Sequence, residues 1–170
     1  MQIIQKPCPN FVQGRSGYKP EIIVLHIMAG SLTGTDSWFA TTQSQVSSHY
    51  GVGFLGDIHQ YVKEEDTAWT QGLKTPPLAK PTFKLYKENI NPNKYCVSIE
   101  HEGNDLSKAP VTQLNASVEL IRTIASKWNI PIDRDHIIGH YELDPVRKPN
   151  CPAIDKSIID KIVSMAKTPT

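Results

Sequence analysis

Two side chains with metal-donor chemistry, His140 and Cys151, stand eleven positions apart in the stretch GHYELDPVRKPNCP from Gly139 to Pro152. Between them lie Pro145, Pro149 and the cation pair Arg147 and Lys148, without apolar periodicity. The pattern predicts a rigid, irregular loop that is neither helix nor strand. An imidazole and a thiolate on such a loop suit Zn²⁺, which takes nitrogen and sulfur donors in tetrahedral geometry. We expect His26 to supply a third ligand and water the fourth position. The competing reading of His26 is a core histidine held by a hydrogen bond, because an imidazole is costly to bury without a partner.

The run HIIGH, His136 to His140, invites comparison with a helix carrying two zinc-binding histidines four residues apart. Ile137 replaces the glutamate such a helix needs after its first histidine, and Gly139 and the β-branched pair Ile137 and Ile138 disfavour a helix. A strand would hold the two imidazoles about 13 Å apart, too far for one ion. His140 is therefore the expected ligand, and His136 a surface or supporting residue.

These groups need elements to position them. The run EIIVLHI, Glu21 to Ile27, is apolar on both faces and predicts a central strand covered on both sides, with His26 near its end. Ser31 to Thr42 predicts a short helix capped by Thr35 or Asp36. His49 to Phe54 and Ile58 to Val62 alternate around Leu55-Gly56-Asp57, a hairpin on which His59 faces solvent. Thr70 to Lys94 is broken by Pro76, Pro77, Pro81 and Pro92, and a loop of that length suits the wall of a binding groove.

Tyr95 to Glu102 predicts a strand with Ser98, Glu100 and Glu102 on one face and Val97, Ile99 and His101 on the other. Cys96 falls on the polar side by parity, yet a small buried thiol is its expected state. Val111 to Trp128 repeats apolar residues at three- and four-residue steps and is the clearest helix, with Trp128 in the core. A short strand follows over His136 to His140, then a last helix from Asp155 to Ala166. Strands and helices interleave, so the fold class expected is α/β: a central mixed β-sheet flanked by α-helices.

A chain of 170 residues with 39% hydrophobic and 21% charged residues is expected to form one domain, residues 1–170. Residues 1–20 read as an irregular arm, with Cys8 an unpaired thiol packed beneath it, and residues 167–170 read as the start of a linker. The net charge of +1 and the lack of a basic run speak against nucleic acid or an anionic membrane as partner. No apolar run approaches the ~18 residues of a membrane span. Three cysteines cannot all pair with one another, and no signal peptide is visible, so we expect reduced thiols and synthesis in the cytoplasm.

Taken in order, IIVLHIMAG, VSSHYGVGFLGDIHQYV, DTAWTQG, VSIEHEG and GHYELDPVRKPNCP resemble the zinc-dependent N-acetylmuramoyl-L-alanine amidases of the type 2 family, relatives of the peptidoglycan recognition proteins. These pieces span roughly Ile22 to Pro152. The resemblance implies one Zn²⁺ held by His26, His140 and Cys151, with Cys151 placing the chain among the thiolate users rather than the relatives with Asp there. It implies Glu100 as the catalytic glutamate, with Glu102 on the same face as the competing assignment. Lys148 matches the family's basic residue, with Arg147 as a competitor for oxyanion stabilisation. His49 and Trp69 correspond to groove positions, although Thr70 stands where many relatives carry His. Val146 replaces a frequent Gly, and one extra residue precedes the third ligand.

The reaction so implied hydrolyses the amide between N-acetylmuramic acid and the L-alanine of the stem peptide, in bacterial peptidoglycan. An endolysin or autolysin fits best, acting on the wall after release, as a monomer, with a wall-binding domain expected beyond residue 170. An intracellular wall-recycling amidase would look the same. Two other classes compete: a peptidoglycan-binding module without activity, and a cysteine peptidase with Cys151 or Cys96 as nucleophile.

Overall fold

A computed structural model describes residues 2–73 and 77–168. Its sheet is mixed, as expected, and contains six strands. In chain order these are β1 (Ile3–Gln5), β3 (Ile22–Ile27), β4 (Tyr50–Val52), β5 (Ile58–Gln60), β7 (Cys96–His101) and β8 (Ile137–Gly139). Two further short strands, β2 (Phe11–Val12) and β6 (Thr67–Ala68), pair antiparallel outside the sheet. Across the sheet the order is β1-β5-β4-β7-β3-β8. β3 lies parallel between β7 and β8, and β4 runs parallel to β7 and antiparallel to β5.

The described α-helices are α1 (Leu32–Phe39), α2 (Val111–Trp128), α3 (His140–Leu143) and α4 (Ser157–Lys167), with short 3₁₀ turns at Thr42–Ser44, Pro92–Lys94 and Leu106–Lys108. α2 and α4 cover one sheet face. Their Leu114, Val118, Ile121, Ile124, Ile159 and Ile162 form one cluster with Ile23, Leu25, Val97, Ile99 and Ile137 from the strands. The same strands send Ile22, Val24, Cys96 and Ile138 to the other face, where they meet Phe83, Tyr95 and Leu143. That two-sided burial is why β3 carries a continuous apolar run. None of the described helices is long and apolar enough to cross a membrane.

The hairpin, the long helix and the strand after the proline-rich loop stand where periodicity put them. Gly56, at φ +91°, supplies the left-handed turn residue of the hairpin. Several details differ. The N-terminal arm holds β1 and β2, because β1 finds an open sheet edge beside β5. α1 starts earlier than expected, with Ser31 as its cap accepting from the Gly34 N–H at 3.1 Å. Asp36 is thereby freed for other partners. It accepts from Tyr61 at 2.8 Å and engages His59 Nδ1 at 2.8 Å and Lys6 at 3.2 Å, so His59 is buried rather than facing solvent.

The stretch after Gly139 is not wholly irregular, since α3 opens it. Trp128 is only half-buried, packing on the core while its indole N–H donates to Glu64 at 2.5 Å. The last helix begins at Ser157, with Asp155 accepting from the Ser157 N–H at 3.0 Å. Cys8, Cys96 and Cys151 are free thiols, with Cys8 packed against Phe39, Tyr61, Val62 and Ala68. Pro76 and residues 169–170 of the expected linker lie outside the described residues.

Candidate metal centre and groove

β3 and β7 are in register with His26 opposite Glu100. Neighbours in register on parallel strands point to the same face, so this pairing puts an imidazole beside a carboxylate at the C-terminal end of the sheet. β8, on the other side of β3, ends at Gly139 and delivers His140 to the same end. Glycine fits closely there: a Cβ would lie 2.7 Å from the Tyr141 ring and 2.8 Å from Ile159 Cδ1, so those side chains would have to shift. Its N–H donates to Glu142 at 2.9 Å, and Arg134 Nη2 holds that carboxylate at 3.0 Å, which fixes the first turn of α3.

The chain then returns. Lys148 N–H donates to the Asp144 carbonyl, Cys151 N–H to the Lys148 carbonyl, and Tyr141 N–H to the Cys151 carbonyl, at 2.9, 3.1 and 2.9 Å. Cys151 is thus pinned against the start of α3. One donor atom from each of His26, His140 and Cys151 lies within 4.8 Å of the others.

Two observations fit a cation among these donors. His140 Nε2 lies 3.0 Å from the Gln71 carbonyl, which can only accept, so Nε2 carries the proton and Nδ1 the lone pair. That Nδ1 faces His26 Nδ1 at 3.1 Å, a separation two lone pairs tolerate only with a proton or cation between them. A tetrahedral ion with Zn–N bonds of about 2.0–2.1 Å sets its donors about 3.3 Å apart. His26, His140 and Cys151 would hold the ion.

Electrostatics sharpen the assignment. Burial, the neighbouring His140 and other nearby positive groups push the His26 pKa well below the usual imidazole value, and burial lowers His140 to about 4. Both rings are therefore neutral, the form a metal needs. Burial raises the Cys151 thiol to about 12, with the Glu100 charge adding to it, so its thiolate calls for a cation. Glu100 rises to about 7 through burial, opposed by the Lys148 charge, and its Oε2 is buried and unpartnered. Arg147 is bound to Asp144 at 2.5 Å and to the Gly72 carbonyl at 2.5 Å. No ion pair is seen for Lys148 among the described residues, and its side chain is exposed beside the donors.

These groups line a groove of about 590 Å³, whose walls include Met28, Trp38, Phe39, Ser47, Trp69, Thr70 and Gln71. Trp69 belongs to it. His49 does not: it is buried, its Nε2 is 2.9 Å from Arg15 Nη2, and its Nδ1 accepts the Ser98 N–H at 3.1 Å. The groove contact expected for His49 is replaced by an internal one, and burial beside Arg15 drops its pKa to about 3. Glu102 is also elsewhere, accepting from the N–H groups of Leu32 and Phe54 at 3.1 and 2.8 Å. His136 binds Asp133 at 2.6 Å.

Sequence reasoning missed Gln71 and His101. His101 is fully buried, with Nδ1 2.9 Å from the His26 carbonyl oxygen and Nε2 2.8 Å from Ser117 Oγ. Its place on the apolar face of β7 was the available sign. Gln71 acts through its carbonyl, which leaves no mark in a sequence.

A model of the family described as N-acetylmuramoyl-L-alanine amidase matches residues 16–154. N-acetylmuramoyl-L-alanine amidase A of Achromobacter lyticus is 29% identical over 149 residues, covering 81% of this chain and 74% of the relative. Among solved structures, a selenomethionine AmpD derivative superposes with a TM-score of 0.73 at 19% identity, covering 94% of this chain and 93% of that one. A mutant endolysin from Bacillus subtilis gives 0.65 at 20% identity, covering 98% and 97%. At such identities the two structures speak for the fold.

Proposed function

The chain belongs to the N-acetylmuramoyl-L-alanine amidase family, and from that membership we propose that it hydrolyses the amide joining N-acetylmuramic acid to the L-alanine of the peptidoglycan stem peptide. The observation that carries this reading is the convergence of His26, His140 and Cys151 within 4.8 Å, beside Glu100 in an open groove. Zinc bound there supplies a Lewis acid that polarises the amide carbonyl and acidifies water.

The remaining work falls to side chains. Glu100, with its pKa near 7, is poised to take a proton from the attacking water and return it to the departing alanine nitrogen. Water's oxygen adds to the carbonyl carbon and the C–N bond breaks. The products are a lactyl carboxylate and a free alanine amine. Lys148 stabilises the oxyanion in this reading, and Arg147, committed to Asp144, does not. Trp69 contributes groove wall for the substrate.

The competing classes are less well supported. A cysteine nucleophile needs a lowered pKa, whereas Cys151 is raised to about 12 and Cys96 is buried with its pKa raised by desolvation. A binding-only module has no use for a complete donor set with a carboxylate of raised pKa beside it. Acting as a monomer on intact wall, in the manner of an endolysin or autolysin, is our reading of its biology. Comparing intact sacculi with soluble wall fragments as substrates separates that from recycling.

Digesting purified wall should release new N-terminal alanine without new reducing sugar ends. Glu100→Ala should keep zinc and lose about 10²- to 10⁴-fold in turnover. New reducing ends, or a Glu100→Ala protein of undiminished rate, would overturn the proposal.

A further inference from the structure

The wall of the groove also reaches the metal centre from behind. Thr70, Gln71 and Gly72 all line the groove, and it is the Gln71 carbonyl that accepts the His140 Nε2–H at 3.0 Å. That bond decides which ring nitrogen of His140 keeps its lone pair, and so which atom is offered to a metal. The carbonyl must itself be held. Thr70, Gln71 and Gly72 make no backbone–backbone hydrogen bonds to other described residues.

Asn93 holds it. Its Oδ1 accepts from the Gln71 N–H at 2.9 Å and from the Thr70 N–H at 3.3 Å, spanning the peptide units just before the carbonyl. Asn93 is fixed in turn by the short 3₁₀ turn Pro92–Lys94, where its own N–H donates to Asn91 Oδ1 at 3.0 Å. Its carbonyl accepts from the buried Arg15 at 3.2 Å. A second tether, from Gln71 Nε2 to Ser98 Oγ at 2.7 Å, ties the same residue to β7. A side-chain oxygen that receives two consecutive N–H groups does for this loop what a neighbouring strand does for a ladder.

We propose that Asn93 is a positioning residue for the metal centre. Through the Gln71 backbone it fixes His140 in the Nε2–H tautomer and aims Nδ1 at His26 and Cys151. The proposal rests on the His26, His140 and Cys151 ligand reading given above. It predicts that zinc affinity depends on a half-buried asparagine that touches neither ligand nor substrate. Losing an outer partner of a ligating histidine lowers metal affinity by about 10- to 100-fold, and a variant that leaves the Gln71 carbonyl in place but unheld should fall at the low end of that range.

The test measures Zn²⁺ binding by competition with a chromogenic chelator, and the His140 tautomer by two-bond ¹H–¹⁵N spectra of the metal-free protein. Wild type should bind one zinc and show His140 protonated at Nε2. Asn93→Ala should bind zinc about 10-fold more weakly and show mixed tautomers at His140. Asn93→Asp retains an oxygen acceptor for both N–H groups and should restore both readings, which a general loosening of the loop would not predict. Asn93→Ser replaces Asn93→Ala, with the same readings, should the alanine variant not fold. Unchanged affinity together with an unchanged tautomer in the truncated variant would overturn the proposal. A wild-type protein that binds no zinc would instead overturn the ligand reading beneath it, so the two failures are told apart.

Discussion

Along β3, Ile23 and Leu25 face α2 and α4, while Ile22, Val24 and His26 face the groove side. One strand therefore borders two surfaces of opposite construction. On the helix side most neighbours come from strands and helices, and apart from the buried His101–Ser117 pair the contacts are mainly hydrocarbon. On the groove side the neighbours come from loops: Phe83 from the proline-rich segment, Gln71 from the stretch after β6, Cys151 from the return after α3. The difference teaches where stability and chemistry are separable. A packed hydrocarbon layer tolerates exchange of side chains of similar volume, whereas a donor set tolerates no displacement of its few polar atoms.

The comparison breaks most visibly if the helix side proves to control the metal. Ile124 is completely buried in the layer between the sheet and α2. Truncating Ile124 to Ala should remove stability toward the upper end of about 2–5 kcal/mol, because a filled core site leaves a cavity. Zinc affinity of the folded fraction should stay as in wild type. Urea unfolding alongside chelator competition checks both. A parallel drop in zinc affinity would mean that the two faces are not independent.

The same contrast explains what was legible in the sequence. β3, β7 and α2 could be read because burial imprints a period on them; His26 stands out because it ends the apolar face of its strand, whereas Glu100 fits the polar face of β7 and was singled out by the family resemblance. His59 was misread because alternation predicts a face and not a partner: Asp36, from another element, satisfies it in the interior. His49 was given a groove position by resemblance, which does not record that Arg15, arriving from the arm, holds it in the interior. The arm itself looked irregular since a strand as short as Ile3–Gln5 carries no period. Gln71 was invisible because it acts through a backbone carbonyl that every residue possesses, and Asn93 because its side chain meets only backbone N–H groups, which no motif records.

Lys148 tests the groove side from its solvent edge. Its charge opposes the burial that raises the Glu100 pKa to about 7. The base works as a carboxylate, so activity should fall as pH drops through about 7 in wild type. Removing the cation removes a lowering influence, so the acid limb of the Lys148→Ala profile should move to higher pH. Loss of an oxyanion donor costs about 10²- to 10³-fold in turnover, and the exposure of Lys148 puts the expected loss at the low end. A pH–rate profile with unchanged acid limb would detach Lys148 from Glu100, and an unchanged rate would pass the oxyanion role back to Arg147.

The smallest effect belongs to α1, which brings Trp38 and Phe39 to the groove on a helix of eight residues. So short a helix depends on its cap, here Ser31 Oγ accepting from the Gly34 N–H at 3.1 Å. Ser31→Ala should cost about 1 kcal/mol, or about 2–4 °C in Tm for a chain of this size. Because α1 supplies none of His26, His140 and Cys151, zinc affinity should not change, while the Michaelis constant on wall fragments should rise as the helix start frays. Calorimetry and kinetics on the one variant check this. A fall in zinc affinity there would show that the groove wall and the metal donors move together even where no hydrogen bond joins them, and the separation between the two faces would have to be redrawn to include α1 with the centre.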